Sequence, residues 1–111
     1  MNRTFLKESR YFHKESGLDL LRSSGSIGMS WGIELITMIE EDNEPRAMTF
    51  NVNGLKWQGT VVLSINFMDY YEVRFMQGGE IIEDMTVEVQ DITKVIDTID
   101  EVVEKQEFYT R

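Results

Sequence analysis

The residues able to do chemistry in this 111-residue chain are few, and their spacing does not bring them together. There is no Cys, which excludes disulfides, thiolate metal centres and cysteine nucleophiles. The only imidazole, His13, lies in Tyr11-Phe12-His13-Lys14 near the N-terminus. A general base needs a partner that orients it and a pocket that shields it, and a short N-terminal arm offers neither. Ser23, Ser24, Ser26 and Ser30 stand in no Gly-x-Ser-x-Gly elbow, and a hydroxyl without a base is inert. Gly25-Ser26-Ile27-Gly28 lacks the Gly-Lys-Ser/Thr ending of a phosphate loop. No catalytic, cofactor-binding or metal-ligating residue is assigned on this basis. No cofactor is expected, and the chain is read as a non-enzyme.

Carboxylates are the abundant functional group, with 20 Asp and Glu against 11 Lys and Arg, a formal net charge of -9. Glu40, Glu41, Asp42 and Glu44 cluster around a turn but lack the Asp-x-Asp-x-Asp-Gly spacing and distal Glu of a calcium loop. Asp97, Glu101 and Glu104, at i, i+4 and i+7, resemble a carboxylate ladder on the outer face of a helix. Both groups are read as solvated. Residues 1–22 sum to +2, whereas 6 basic and 17 acidic groups leave residues 23–111 at -11. Such a body repels phosphate, so direct binding of nucleic acid is disfavoured. The surplus that remains is aromatic and apolar. Phe5, Tyr11, Phe12, Trp57 and Tyr70 are the candidate partner-binding residues.

The elements that must carry these residues read as follows. Ser16–Arg22 reads as a short helix, and the small residues from Ser23 to Gly28 as a flexible hinge. The division expected is an N-terminal arm and Ser/Gly hinge over 1–28, then a single α+β domain over 29–111. Ser30–Glu41 is read as a helix with Ser30 as N-cap, its polar stripe of Glu34, Thr37 and Glu41 opposing Trp31, Leu35, Met38 and Ile39. A strand turning at Asp42-Asn43-Glu44-Pro45 is the open alternative. Met48, Phe50 and Val52 alternate with polar residues, and Asn53-Gly54 predicts a type I′ hairpin turn. Gly59 suggests a bulge in the next strand, which runs to Ile65. Asn66–Asp69 is the following turn, Tyr71, Val73 and Phe75 mark another strand, and Gln77-Gly78-Gly79 turns the chain back.

The last element is the clearest. Asp91 is a suitable N-cap, and Ile92, Val95, Ile96, Ile99, Val102 and Val103 fall on one helical stripe, with Glu101 and Lys105 spaced to pair. The fold class expected is α+β: an antiparallel meander of three to five strands, with a C-terminal amphipathic helix and one or two N-terminal helices packed on one face.

No apolar h-region follows a basic start, and the uncharged stretch Ser23–Ile33 is 11 residues long and rich in Ser and Gly, too short and polar to span a bilayer. A cytoplasmic protein without membrane association is expected. The function expected is a small protein–protein interaction or self-associating module, with a homodimer favoured over a monomer. Two alternatives stay open: an acidic mimic or inhibitor of a nucleic-acid-binding protein, and a small-ligand or carboxylate-based enzymatic domain.

Overall fold

The structure, a computed structural model, describes residues 3–105. It is α+β, with one six-stranded antiparallel sheet. A 3-10 turn at Thr4–Glu8 precedes α1 (Lys14–Ser23) and α2 (Gly25–Met29). The strands are β1 (Glu34–Glu41), β2 (Glu44–Asn53), β3 (Gln58–Ile65), β4 (Tyr71–Gln77), β5 (Glu80–Ile81) and β6 (Val87–Val89). They are ordered β1-β2-β3-β4-β5, and β6 also pairs with β4. A second 3-10 turn at Glu83–Met85 joins β5 to β6, and α3 (Ile92–Asp100) ends in a π-helical turn at Glu101–Lys105. The strand count exceeds the expected three to five because β1 and the short β5 and β6 join the meander.

The period-2 alternation of the central strands decides the layering, because successive side chains point to opposite faces. Met48, Phe50, Val52, Val61, Leu63, Val73 and Phe75 share one buried cluster with Val95, Ile96, Ile99, Val102 and Val103 of the C-terminal helix, and with Phe12, Leu20, Trp31 and Trp57. Ala47, Val62 and Ile39 belong to a separate cluster with Phe5 and Leu6 of the first 3-10 turn. The N-terminal residues read as an arm therefore enter both cores. Arg10 N–H donates to the Ile65 carbonyl at 2.7 Å, and Phe12 N–H donates to that of Pro45 at 2.8 Å. The Arg74 guanidinium lies 4.1 Å from the centroid of the Phe5 ring. Ser23–Gly28, expected as a hinge, forms the end of α1 and most of α2. Residues 1–2 and 106–111 of the expected division lie outside the described residues.

Ser30–Glu41 is not a helix. Gly32 adopts φ 62°, the strand begins at Glu34, and the hairpin closes at Asp42 and Asn43, both at positive φ. That is the type I′ pattern, whose twist matches the flanking strands. Glu40 and Glu41, ill placed beside the negative end of a helix dipole, sit comfortably on an exposed strand end. Asn53-Gly54 does not form the expected two-residue turn, since neither residue has positive φ. The loop is longer: Gly54 N–H donates to the Trp57 carbonyl at 3.1 Å, while the Lys56 and Trp57 N–H groups both donate to that of Val103. Gly54 is needed for close approach, because a Cβ there would lie 2.6 Å from the Val103 carbonyl oxygen. Gly59 pairs in register with Val52, so no bulge occurs there. The register shifts lie in β1, between Glu34 and Thr37 and between Ile39 and Glu40. Gly78 and Gly79 do take positive φ at the β4–β5 turn.

The helix start follows the sequence signal, with Lys94 N–H donating to Asp91 Oδ1 at 2.9 Å. Lys105 pairs with Asp100 at 3.7 Å instead of the expected Glu101, since the final turn is π-helical. No helix among the described residues is long and apolar enough to cross a membrane.

Two substitutions report on this packing. Leu6→Ala removes a fully buried side chain and is expected to cost about 2–4 kcal/mol in urea denaturation; an unchanged midpoint would mean that the N-terminal turn contributes no core. Gly54→Ala is expected to cost about 1–3 kcal/mol by forcing apart the loop and the helix end, against a change within about 0.5 kcal/mol for Leu55→Ala on the exposed neighbour.

Candidate functional site

Of the serines named from sequence, Ser23, Ser24 and Ser30 are engaged with helix carbonyls. Ser23 Oγ donates to the Leu20 carbonyl at 2.7 Å, Ser24 Oγ to that of Leu21 at 2.5 Å, and Ser30 Oγ to that of Ile27 at 2.7 Å. Such back-bonding is a local alternative to solvation, and it leaves these hydroxyls without a base. His13 is exposed at the N-cap of α1, makes no side-chain cap hydrogen bond, and lies edge-on to Tyr11. Among the described residues, no group of three or more His, Asp or Glu is placed to hold a metal ion.

Acidic side chains are tied to neutral or basic neighbours on the sheet. Glu72 and Glu88 stand opposite each other across the β4–β6 ladder. Their repulsion is relieved by Asn66, whose Nδ2 donates to both, at 2.9 and 2.8 Å, and by Arg74, which is 2.9 Å from Glu72. Arg74 also donates to Ser64 Oγ at 3.2 Å, so the cation beside the smaller cavity, about 190 Å³, is already satisfied. Of the acids expected to face water, Glu40, Asp42, Glu44 and Asp97 do so, and Glu41 and Glu101 are half-buried. Glu104, in contrast, keeps Oε1 buried and without a hydrogen-bond partner.

The larger feature is apolar. Between α1, α2 and the entry to β1 lies an open groove of about 680 Å³, lined by Leu21, Met29, Ile33 and three glycines, with Arg22 as its only charged residue. Its geometry follows from the chain reversals around it. Gly25 at φ 57° starts α2 directly after α1, and Gly32 at φ 62° redirects the chain into β1. Gly28 packs so tightly on Ser24, the residue between α1 and α2, that a Cβ would meet Ser24 Cβ at 2.8 Å. Trp31, fully buried, fixes this segment to the rest of the molecule. Its Nε1 donates to Asp100 Oδ1 at 3.1 Å and its backbone N–H to the Gly28 carbonyl at 3.1 Å, while its own carbonyl accepts from Asn53 N–H at 2.8 Å.

Along α2 and β1, the elements that bound the groove, large apolar side chains face solvent. Met29 is 83% exposed, Ile27 45%, Leu35 72% and Ile36 38%. Leu35 sits at φ 54° inside the first irregularity of β1. A bulky residue in the left-handed region costs roughly 1 kcal/mol, and strained backbone of this kind concentrates where chains meet ligands and partners. β1 pairs only with β2, so it is an edge strand.

The five residues named from sequence do not share this surface. Phe5, Phe12 and Trp57 are buried at 9%, 1% and 5% exposure, Trp57 edge-on to Phe75 at 5.4 Å. Tyr11 is exposed, and Tyr70 is half-buried with its hydroxyl accepting from Gln90 Nε2. In so small a chain the large aromatics are the main source of core volume, which is why an aromatic surplus pointed inward. The signal for Met29 and Leu35 was the uncharged stretch Ser23–Ile33 running into β1, an odd feature in so acidic a chain. No protein-family model, curated protein or solved structure matches the chain.

Proposed function

We propose that this chain is a small non-enzymatic interaction module that docks a protein surface in the groove between α1, α2 and β1. The observation that carries the reading is a solvent-open apolar groove of about 680 Å³ on a chain of net charge -9, lined in part by Met29 at 83% exposure, with Leu35, 72% exposed, two positions beyond the lining residue Ile33. Isolated exposed apolar residues need no explanation, whereas a concave surface with several around it marks an interaction site. The groove also suits a binding role because it is built on helix and strand ends tied to the core through Trp31. An acidic mimic would dock through carboxylates, and an enzyme through a polar cleft; the groove presents neither.

A fluorescent apolar dye tests this reading at low chain concentration. Saturable enhancement is expected with the native chain, falling by half or more in Met29→Glu combined with Leu35→Glu. Phe67→Glu, at an exposed site on the β3–β4 turn, is expected to leave it unchanged. Equal dye binding by all three proteins would remove the groove as the docking surface.

A further inference from the structure

Resting on that reading, we infer that the occupant of the groove is the same patch of a second copy, the two related by a twofold axis. A twofold contact is isologous, so one patch must supply both the recess and the projection that fills it. This patch does. The recess is lined by Gly25, Gly28 and Gly32, and Met29, which lines the same recess, projects at its edge. The unbranched thioether of Met adapts to an irregular recess more readily than a branched side chain.

Charge narrows the choice of partner further. Two copies carrying -9 each repel, and they can approach closely only where that charge is thinnest. Ser23–Ile33 carries no charged residue, and Arg22, the one charged residue lining the groove, is held at 2.7 Å by Asp19. The other long uncharged run, Trp57–Met68, is mostly the interior strand β3. A basic partner would be drawn to the carboxylates and away from this neutral stretch. The free edge of β1 is a poorer place for self-pairing. An antiparallel copy centred on Thr37 and Met38 would set Glu34 against Glu41, and like charges directly opposite are destabilising. Register shifts toward both ends of β1 also shorten its regular ladder. The contact is therefore one of side-chain packing, with Met29 of each copy in the other's groove.

Sedimentation equilibrium over a concentration series, at low and high salt, provides the test. A reversible monomer–dimer equilibrium is expected that tightens by roughly threefold or more as salt screens the like-charged bodies. Met29→Glu is expected to weaken it by about tenfold or more, since it buries an unpaired charge, with a melting temperature unchanged at concentrations where both proteins are monomeric, because the residue is exposed in the single chain. Phe67→Glu is expected to leave association intact. Because the chain has no Cys, oxidation of Met29→Cys should yield a linked dimer where Phe67→Cys yields none. A wild-type monomer at every concentration, a dimer indifferent to Met29→Glu, or one that dissociates as salt rises would each overturn the second-copy assignment. If the chain is monomeric but Met29→Glu with Leu35→Glu still abolishes dye binding, only the identity of the occupant falls. If dye binding is also indifferent, the docking surface falls with it.

Discussion

The constraint on which the architecture rests is that the three central strands carry one almost wholly apolar face and, on the other, an apolar patch among polar residues. β2, β3 and β4 place Phe50, Val61, Leu63, Val73 and Phe75 on one side and Ala47, Val62 and Met76 on the other. Apolar surface left in water costs about 25 cal/mol for every Å², so neither side can remain open. The C-terminal helix covers the first side, and Phe12 and Leu20 belong to the same buried cluster. The second is covered by very little chain: the single 3-10 turn at Thr4–Glu8, with Phe5 and Leu6 pressed onto the sheet and Arg74 stacked over Phe5. This asymmetry explains why a segment with the composition of a tail behaves as part of the core.

A second consequence concerns the C-terminal helix. Its end is held by the β2–β3 loop, where two backbone N–H groups converge on the Val103 carbonyl, and by Trp31, whose indole reaches Asp100. Trp31 thus links the helix to β2, through Asn53, and to α2, through Gly28. Pinning this residue inward leaves its neighbours outside. Met29 precedes it by two positions and is exposed, while Gly32 and Ile33 follow it along the groove wall. The apolar groove is a by-product of how α2 and β1 are anchored, with Gly28 packed against Ser24 and Gly32 against Asn53.

Much of the secondary structure was legible because it depends on local periodicity. The stripe of α3 and its Asp91 cap, the alternation in β2 and β4, and the Gly78-Gly79 turn all follow from residue order, since the spacing that defines each element also defines its buried face. Elements whose identity depends on what lies beside them were not legible. Ser30–Glu41 carries a tolerable helical stripe, yet it is a strand because β2 offers a ladder and Asp42-Asn43 accepts the positive φ that closes it. Asn53-Gly54 has the composition of a tight turn, yet its glycine is spent on contact with Val103. The candidate site divided in the same way: the aromatic residues named from composition went largely to the core, while the groove is lined by residues 21–33, a local stretch whose composition reads as a hinge.

What the sequence by itself determined is the class of fold and the character of the surface. Its apolar periodicities specify a sheet and an amphipathic helix whatever their arrangement, and 20 Asp and Glu against 11 Lys and Arg make the chain acidic. The tertiary structure alone decided which apolar residues stayed outside. Burial is allotted by the space available on each face of the sheet. Phe5, Phe12 and Trp57 fill that space, and Met29 and Leu35, no more polar than residues in the core, are left at the surface because the chain reversals at Gly25 and Gly32 turn them away from it.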